Sequence, residues 1–194
     1  MASNNIEIES KVLLSKKDYE KLLDRIAFPA ESVTQTNYYL DSDELTLKKY
    51  GMIVRIRENV GGKYVLTMKA PLAEGLLEKN QPLSKKEADA MIKTNVFPRG
   101  DIYDFLDILH IKPESLKILA TLTTERKVAE YGEVKLDISK NTYGKKVDYE
   151  LECDSDSAYK STETLKEICD SNGIKYEINL ESKESRAIKA AIGK

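Results

Sequence analysis

The chain is organised by short stretches in which charged and apolar residues alternate at the period of an extended strand. Over residues 6–14, Glu7, Glu9 and Lys11 fall on one side, while Ile6, Ile8, Val12 and Leu14 mostly take the other. The pattern returns at 33–41, where Gln35, Asn37, Tyr39 and Asp41 oppose Tyr38 and Leu40. At 52–58, Ile53, Arg55 and Arg57 oppose Met52, Val54 and Ile56. The turn Asn59-Val60-Gly61-Gly62 then predicts a hairpin into 63–69, with Lys63, Val65, Thr67 and Lys69 on one face. A shorter strand at 76–80 aligns Leu76, Glu78 and Asn80. The long stretch 116–131, rich in Thr, Leu and Val, gives Leu122, Thr124, Arg126 and Val128 one parity. Residues 133–139 align Glu133, Lys135, Asp137 and Ser139, and 147–153 sets Asp148, Glu150, Glu152 and Asp154 on one face.

Helical spacing appears between and after these strands. Ser15 is an N-cap with Asp18 in the capping-box position, and Tyr19, Leu22, Leu23 and Ile26 form one apolar stripe before Pro29. Ser84 caps a second helix with Glu87, and 102–109 continues as a third. Ser157 opens another, which Gly173 terminates, and 183–190 presents Lys183 and Arg186 three apart. Eight strands or so, mostly hairpin-linked, argue for an antiparallel sheet in one domain spanning 1–194. Doubly wound parallel strands would be apolar throughout, and neither a phosphate-binding loop motif nor a dinucleotide fingerprint is present.

Composition narrows the chemistry. With 194 residues, 41% hydrophobic and 33% charged, the chain suits a globular fold with a substantial core. A net charge of -2 argues against general nucleic-acid binding, yet leaves room for a locally basic cavity. No apolar run reaches membrane-spanning length and the N-terminus does not read as a signal peptide, so a cytoplasmic protein without a membrane partner is expected. Cys153 and Cys169 are isolated, and His110 is the single histidine, best read as a helix-end residue. Metal chemistry must therefore use carboxylates.

The strand faces supply complementary charge. Glu7, Glu9, Glu78, Asp137, Glu150 and Glu152 are acidic; Lys11, Arg55, Arg57, Lys69, Arg126, Lys183 and Arg186 are basic. On an open sheet these faces meet solvent. In a closed barrel they line an interior just wide enough for one small ligand. The guest complementary to both signs is a small linear polyanion, such as a triphosphate, with Mg2+ or Mn2+.

Glu7-Ile8-Glu9-Ser10-Lys11 resembles the ExExK signature of the CYTH, or triphosphate tunnel metalloenzyme, superfamily. The resemblance continues in order through Arg55-Ile56-Arg57, Thr67-Met68-Lys69, Glu78, Thr124-Glu125-Arg126, Leu136-Asp137, Glu150-Leu151-Glu152 and Ser182-Lys183 with Arg186. It is closest in character to the small CYTH proteins of Gram-positive bacteria. The resemblance implies a closed eight-stranded antiparallel β-barrel with helices packed outside. It implies that Arg55, Arg57, Lys69, Arg126, Lys183 and Arg186 bind substrate, and that Glu7, Glu9, Glu78, Asp137, Glu150 and Glu152 hold metal. Lys11, Glu9 and Glu152 take the catalytic positions, with Lys11 binding phosphate or orienting water. The implied activity is metal-dependent hydrolysis of a triphosphate. A class IV-like adenylyl cyclase and a non-catalytic nucleotide or polyphosphate binder remain the alternatives. A cyclase needs a base-reading set, for which Tyr38, Tyr39 and Tyr64 are the stacking candidates.

Overall fold

A computed structural model describes residues 3–193, with side chains from Ile8 onward. Its strands are β1 (Ser3–Glu7), β2 (Glu9–Leu14), β3 (Val33–Asp41), β4 (Ile53–Asn59), β5 (Lys63–Pro71), β6 (Leu76–Leu83), β7 (Lys117–Tyr131), β8 (Val134–Tyr143) and β9 (Lys146–Asp154). Its helices are α1 (Lys16–Arg25), α2 (Thr46–Lys49), α3 (Lys85–Thr94), α4 (Asp101–Ile108), α5 (Ala158–Ser171) and α6 (Lys183–Ile192), with a 3-10 turn at Pro113–Ser115.

The strands form one antiparallel sheet in the order β1-β6-β5-β4-β3-β7-β8-β9-β2. The expected closed eight-stranded barrel is therefore corrected. The sheet has nine strands and two edges, because the first predicted strand breaks at Ile8. Its first part pairs with β6, with Glu7 opposite Leu76, and its second part pairs with β9, with Glu9 opposite Asp154. One residue joins two strands committed to opposite edges. The edges thus meet at the Ile8 corner and form no ladder with each other, leaving a curled, open sheet.

Local chemistry explains the connections. Ser15 Oγ accepts from the Asp18 backbone N–H at 3.1 Å, and Ser84 and Glu87 complete a reciprocal capping box. Gly61 and Gly62 carry the β4–β5 turn at positive φ, where a side chain would be strained.

The apolar parity of the strands builds two outer cores. Leu40, Val54, Ile56, Leu66 and Met68 pack with Ala88, Met91, Ile102 and Leu106 of α3 and α4. Val12, Leu136, Ile138 and Leu151 pack with Leu22 of α1 and Leu165 and Ile168 of α5. The α1 stripe thus seats on the outer face as its spacing predicts, with Tyr19 also stacking near Tyr149 at 4.7 Å. Leu22 is fully buried, so Leu22→Ala should cost about 2–5 kcal/mol, read as a lower midpoint in denaturant with the slope unchanged.

Helix α6 departs from the expected arrangement. Ala187 and Ile188 pack on Tyr39, Leu122 and Tyr143, which share the parity of the charged face. This last helix lies against the inner side of the sheet, whereas the other long helices cover the outer side. No helix among the described residues is long and apolar enough to cross a membrane.

Candidate active site

The charged parity of eight strands converges on one cavity of about 250 Å³, partly roofed by the start of α6. Its lining includes Glu9 and Lys11 of β2, Asn37 and Tyr39 of β3, Arg55 and Arg57 of β4, Lys69 of β5 and Glu78 of β6. Thr124 and Arg126 of β7, Lys135 and Asp137 of β8, Glu152 and Asp154 of β9, and Lys183 and Glu184 of α6 complete it. Strand register explains the convergence. Tyr39, Arg55 and Thr67 are successive partners across β3, β4 and β5. Asp137, Glu152 and Lys11 are successive partners across β8, β9 and β2. Lys135, Asp154 and Glu9 form the next such row. Directly opposed residues hold their Cβ atoms about 4.5–5.5 Å apart, so each row is a contiguous patch.

The two halves of the sheet differ in sign. The β5–β4–β3–β7 side carries Arg55, Arg57, Lys69 and Arg126, and the β8–β9–β2 side carries the acids Asp137, Glu152, Asp154 and Glu9, interleaved with Lys11 and Lys135. Arg57 donates Nε–H to Asn37 Oδ1 at 3.1 Å and has no ion pair among the described residues. Burial, then the charges of Arg55 and Arg126, push its guanidinium down to about 9. A guanidinium remains charged in practice, so burial and the two like charges leave a site that an anion between the three arginines would relieve.

The carboxylates are paired with cations. Lys11 Nζ lies 2.7 Å from Glu9, Lys69 3.5 Å from Glu78, and Lys183 2.6 Å from Glu152. Arg126 contacts Asp137. Burial alone would raise Glu152, but Lys183 and Lys11 outweigh it and hold the carboxyl well below the usual range. Burial and the neighbouring Glu152 push Glu150 upward. Desolvation would lower Lys11, yet Glu9 and Glu152 keep it raised and charged.

Hard oxygen donors suit a divalent cation, and two observations bear on the fit. Asp137 lines the cavity at 2% exposure and its Oδ1 meets no hydrogen-bond donor among the described residues, whereas Glu150, behind the cavity, has Lys183 3.8 Å from its Oε1. Buried carboxylate oxygens facing no donor are what a cation would satisfy. Against a complete protein cage, no group of three or more acidic, histidine or cysteine residues is gathered for metal among the described residues. Mg2+ commonly needs only one or two carboxylates plus substrate phosphates, so the donor set fits an ion recruited together with its anion.

The sequence-derived candidates do not all reach the cavity. Glu9, Lys11, Arg55, Arg57, Lys69, Glu78, Arg126, Asp137, Glu152 and Lys183 line it. Glu150 and Arg186 sit behind it, in contact with each other. The Glu7 side chain lies outside the described residues; its backbone belongs to β1. Lys135, Asp154, Gln35 and Asn37 line the cavity too, and strand parity alone would have found them. Glu184 carried no such signal because it lies on a helix. Burial pushes its carboxyl up to about 7; the Ser182 hydroxyl opposes this and the Asp41 charge adds to it. The stacking candidates are corrected: Tyr38 and Tyr64 lie on the outer face, where both hydroxyls donate to Glu58, at 3.1 and 2.9 Å. Tyr39 lines the cavity but is only 1% exposed.

Comparison with known proteins agrees with this geometry. The CYTH domain model matches residues 5–188. The "Putative triphosphatase YjbK" of Bacillus subtilis (strain 168) is 34% identical over 169 residues, covering 86% of each chain. A crystal structure named as a "putative adenylate cyclase", from Bacillus halodurans, superposes with a TM-score of 0.87 at 34% identity, covering 94% of this chain and 97% of that one. HpAC1 from Hippeastrum, described as a "putative adenylyl cyclase" with a dominant triphosphatase activity, shares the fold at 21% identity and a TM-score of 0.77, covering 95% of each chain. A family match across nearly the whole chain, joined to a relative 34% identical over 169 residues, makes this chain a member of the CYTH domain family.

Proposed function

We propose that the protein is a metal-dependent triphosphatase that hydrolyses a small triphosphate-containing substrate and releases the terminal phosphate. The observation that carries this reading is the two-signed cavity: a wall of Arg55, Arg57, Lys69 and Arg126 facing a wall of Glu9, Asp137, Glu152 and Asp154. Phosphoryl transfer depends mainly on positioning and charge stabilisation, which such a cavity provides.

The basic wall, with Lys183, binds and aligns the phosphate chain, while Arg186 stands behind the cavity and braces Glu150. Arg donors fit phosphoryl oxygens in pairs, and Lys69 and Lys183 act as point charges. Glu7, Glu9, Glu78, Asp137 and Glu152 are the residues that would hold Mg2+ or Mn2+, with Glu150 behind them in contact with Arg186. When bound, the ion supplies concentrated positive charge that polarises phosphoryl oxygens and activates water. Lys11 is held charged beside Glu9 and Glu152, placed to orient the phosphate end that is attacked. The small partner is thus a polyanion, and the chemistry suits a cytoplasmic protein.

The cyclase reading rests on the relative from Bacillus halodurans, named as a "putative adenylate cyclase". Hydrolysis stands ahead of it because Tyr38 and Tyr64 face outward and Tyr39 is covered, which leaves no exposed aromatic platform for a base in the cavity among the described residues. The test is a panel of inorganic triphosphate, thiamine triphosphate, ATP and long polyphosphate with Mg2+ and Mn2+, followed by phosphorus NMR. Orthophosphate should appear from a triphosphate with metal and stop on addition of EDTA. Cyclic nucleotide and pyrophosphate from ATP would establish the cyclase, and tight binding without turnover the non-catalytic binder.

A further inference from the structure

We propose that Asp148 is a positioning residue for the acidic wall: it aims Arg186 at Glu150 from behind, so that Glu152 is the carboxylate presented to the cavity. The proposal rests on the metal-dependent reading above and extends it to a residue outside the cavity.

Asp148 precedes Glu150 by two positions on β9 and shares its face. Parity alone would send Asp148, Glu150, Glu152 and Asp154 together toward the ligand. The structure divides them. Glu152 and Asp154 line the cavity, whereas the first two acids are covered by α6 through Arg186. Arg186 Nε donates to Asp148 Oδ2 at 2.9 Å, and its Nη2 contacts Glu150 Oε2. A guanidinium suits this double duty, because its donors form a rigid fork that serves the two carboxylates from different nitrogens.

Asp148 is itself fixed. Tyr143 OH donates to Oδ2 at 2.6 Å and Asn141 Nδ2 to Oδ1 at 3.0 Å. Asn141 Oδ1 in turn accepts from Thr124 Oγ1 at 2.9 Å, and Thr124 lines the cavity beside Arg126. A partly buried hydrogen-bonded chain therefore runs from Thr124 through Asn141, Asp148 and Arg186 to Glu150. Such a chain holds its members in one geometry when each is satisfied.

The consequence concerns two adjacent like charges. Glu150 and Glu152 repel each other, and Lys183 lies 2.6 Å from Glu152 but 3.8 Å from Glu150. Without Arg186 held in place, Lys183 would be shared between both. With it held, Glu150 is answered from the helix side and Glu152 keeps its own orientation. Outer partners of metal-holding carboxylates typically change affinity or activity about 10–100-fold when removed.

The experiment uses Asp148→Asn, which keeps the shape and removes the charge. Mn2+ binding to the full-length protein in the presence of a non-hydrolysable triphosphate analogue is followed by electron paramagnetic resonance. Its dissociation constant should rise about tenfold or more. Triphosphate binding measured by calorimetry without metal should stay within about twofold, which general loosening of the fold would not spare. Arg186→Gln should weaken Mn2+ binding similarly, and adding Asp148→Asn to it should change little, because both act through one contact. Unchanged Mn2+ affinity in Asp148→Asn, or fully additive losses in the double variant, would overturn the proposal alone. Unaltered protein that binds no Mn2+ would overturn the metal reading and this proposal with it. Should the variants fail to fold, the Arg186 Nε–H signal in nitrogen NMR of the unaltered protein decides. Protection from exchange supports the held guanidinium, and rapid exchange overturns it.

Discussion

Glu152→Gln should lower triphosphate hydrolysis by at least about a hundredfold, on the scale of one lost electrostatic contact in the transition state. Glutamine keeps the volume and can still accept a hydrogen bond from Lys183, but it removes the charge that the cavity presents between Lys11 and Asp137 in strand register. Folding and catalysis are separable in this variant. Crowded carboxylates alone would predict a more stable protein after neutralisation. The contacts predict the opposite, because Lys183 is 16% exposed in its side chain and loses the carboxylate 2.6 Å away. The melting temperature should therefore fall while the circular dichroism spectrum below the transition remains that of the unaltered protein. Glu9→Gln should lower hydrolysis comparably, since it removes the partner of Lys11. Turnover against Mg2+ and Mn2+ concentration, measured well below the melting transition, checks both. Near-normal turnover in both folded variants, or turnover by the unaltered protein that survives EDTA, would end the carboxylate–metal mechanism.

What the sequence disclosed of this site follows from the periodicity of strands. Side chains alternate across a strand whatever the tertiary fold, so Arg55 and Arg57, Lys69, Arg126 and Asp137 could be placed on the inner face before any pairing was known. Pairing itself is non-local. Nothing around Ile8 marks a break, since neither Pro nor Gly interrupts Glu7-Ile8-Glu9. The break arises because β6 and β9, far apart in sequence, draw the two sides of Ile8 to opposite edges of the sheet. Helix α6 was illegible for a related reason. An apolar stripe containing Ala187 and Ile188 reveals which side of a helix is buried, but not which face of the sheet buries it. That one placement decides the fate of four acids of equal parity. It also turns Arg186 toward Asp148 and Glu150, and brings Glu184 to the cavity wall.

The basic wall should show the reverse balance between stability and binding. Arg57 is crowded by burial and by Arg55 and Arg126, and its partner is the neutral amide of Asn37. Arg57→Met retains much of the aliphatic volume and removes one of three like charges. The free protein should therefore melt no lower than the unaltered one, as the lost hydrogen bond of about 1.5–3 kcal/mol gross is offset by relieved repulsion and desolvation. Triphosphate affinity should nevertheless fall roughly tenfold to a hundredfold, because a charge-assisted contact to the anion is lost. Arg55→Met should behave similarly toward triphosphate. The loss should be far smaller for pyrophosphate and orthophosphate, which reach fewer of the cations spread over β4, β5 and β7. Calorimetry at fixed ionic strength, with melting curves on the same samples, checks both halves. Equal affinity for all three anions in every protein would show that the cations act as a diffuse field, without successive contacts along a phosphate chain. A large fall in melting temperature with unchanged triphosphate affinity would instead make Arg57 a structural residue. The arginine crowding is the physical reason to expect neither: charge held at a cost in the free protein returns that cost when a polyanion enters.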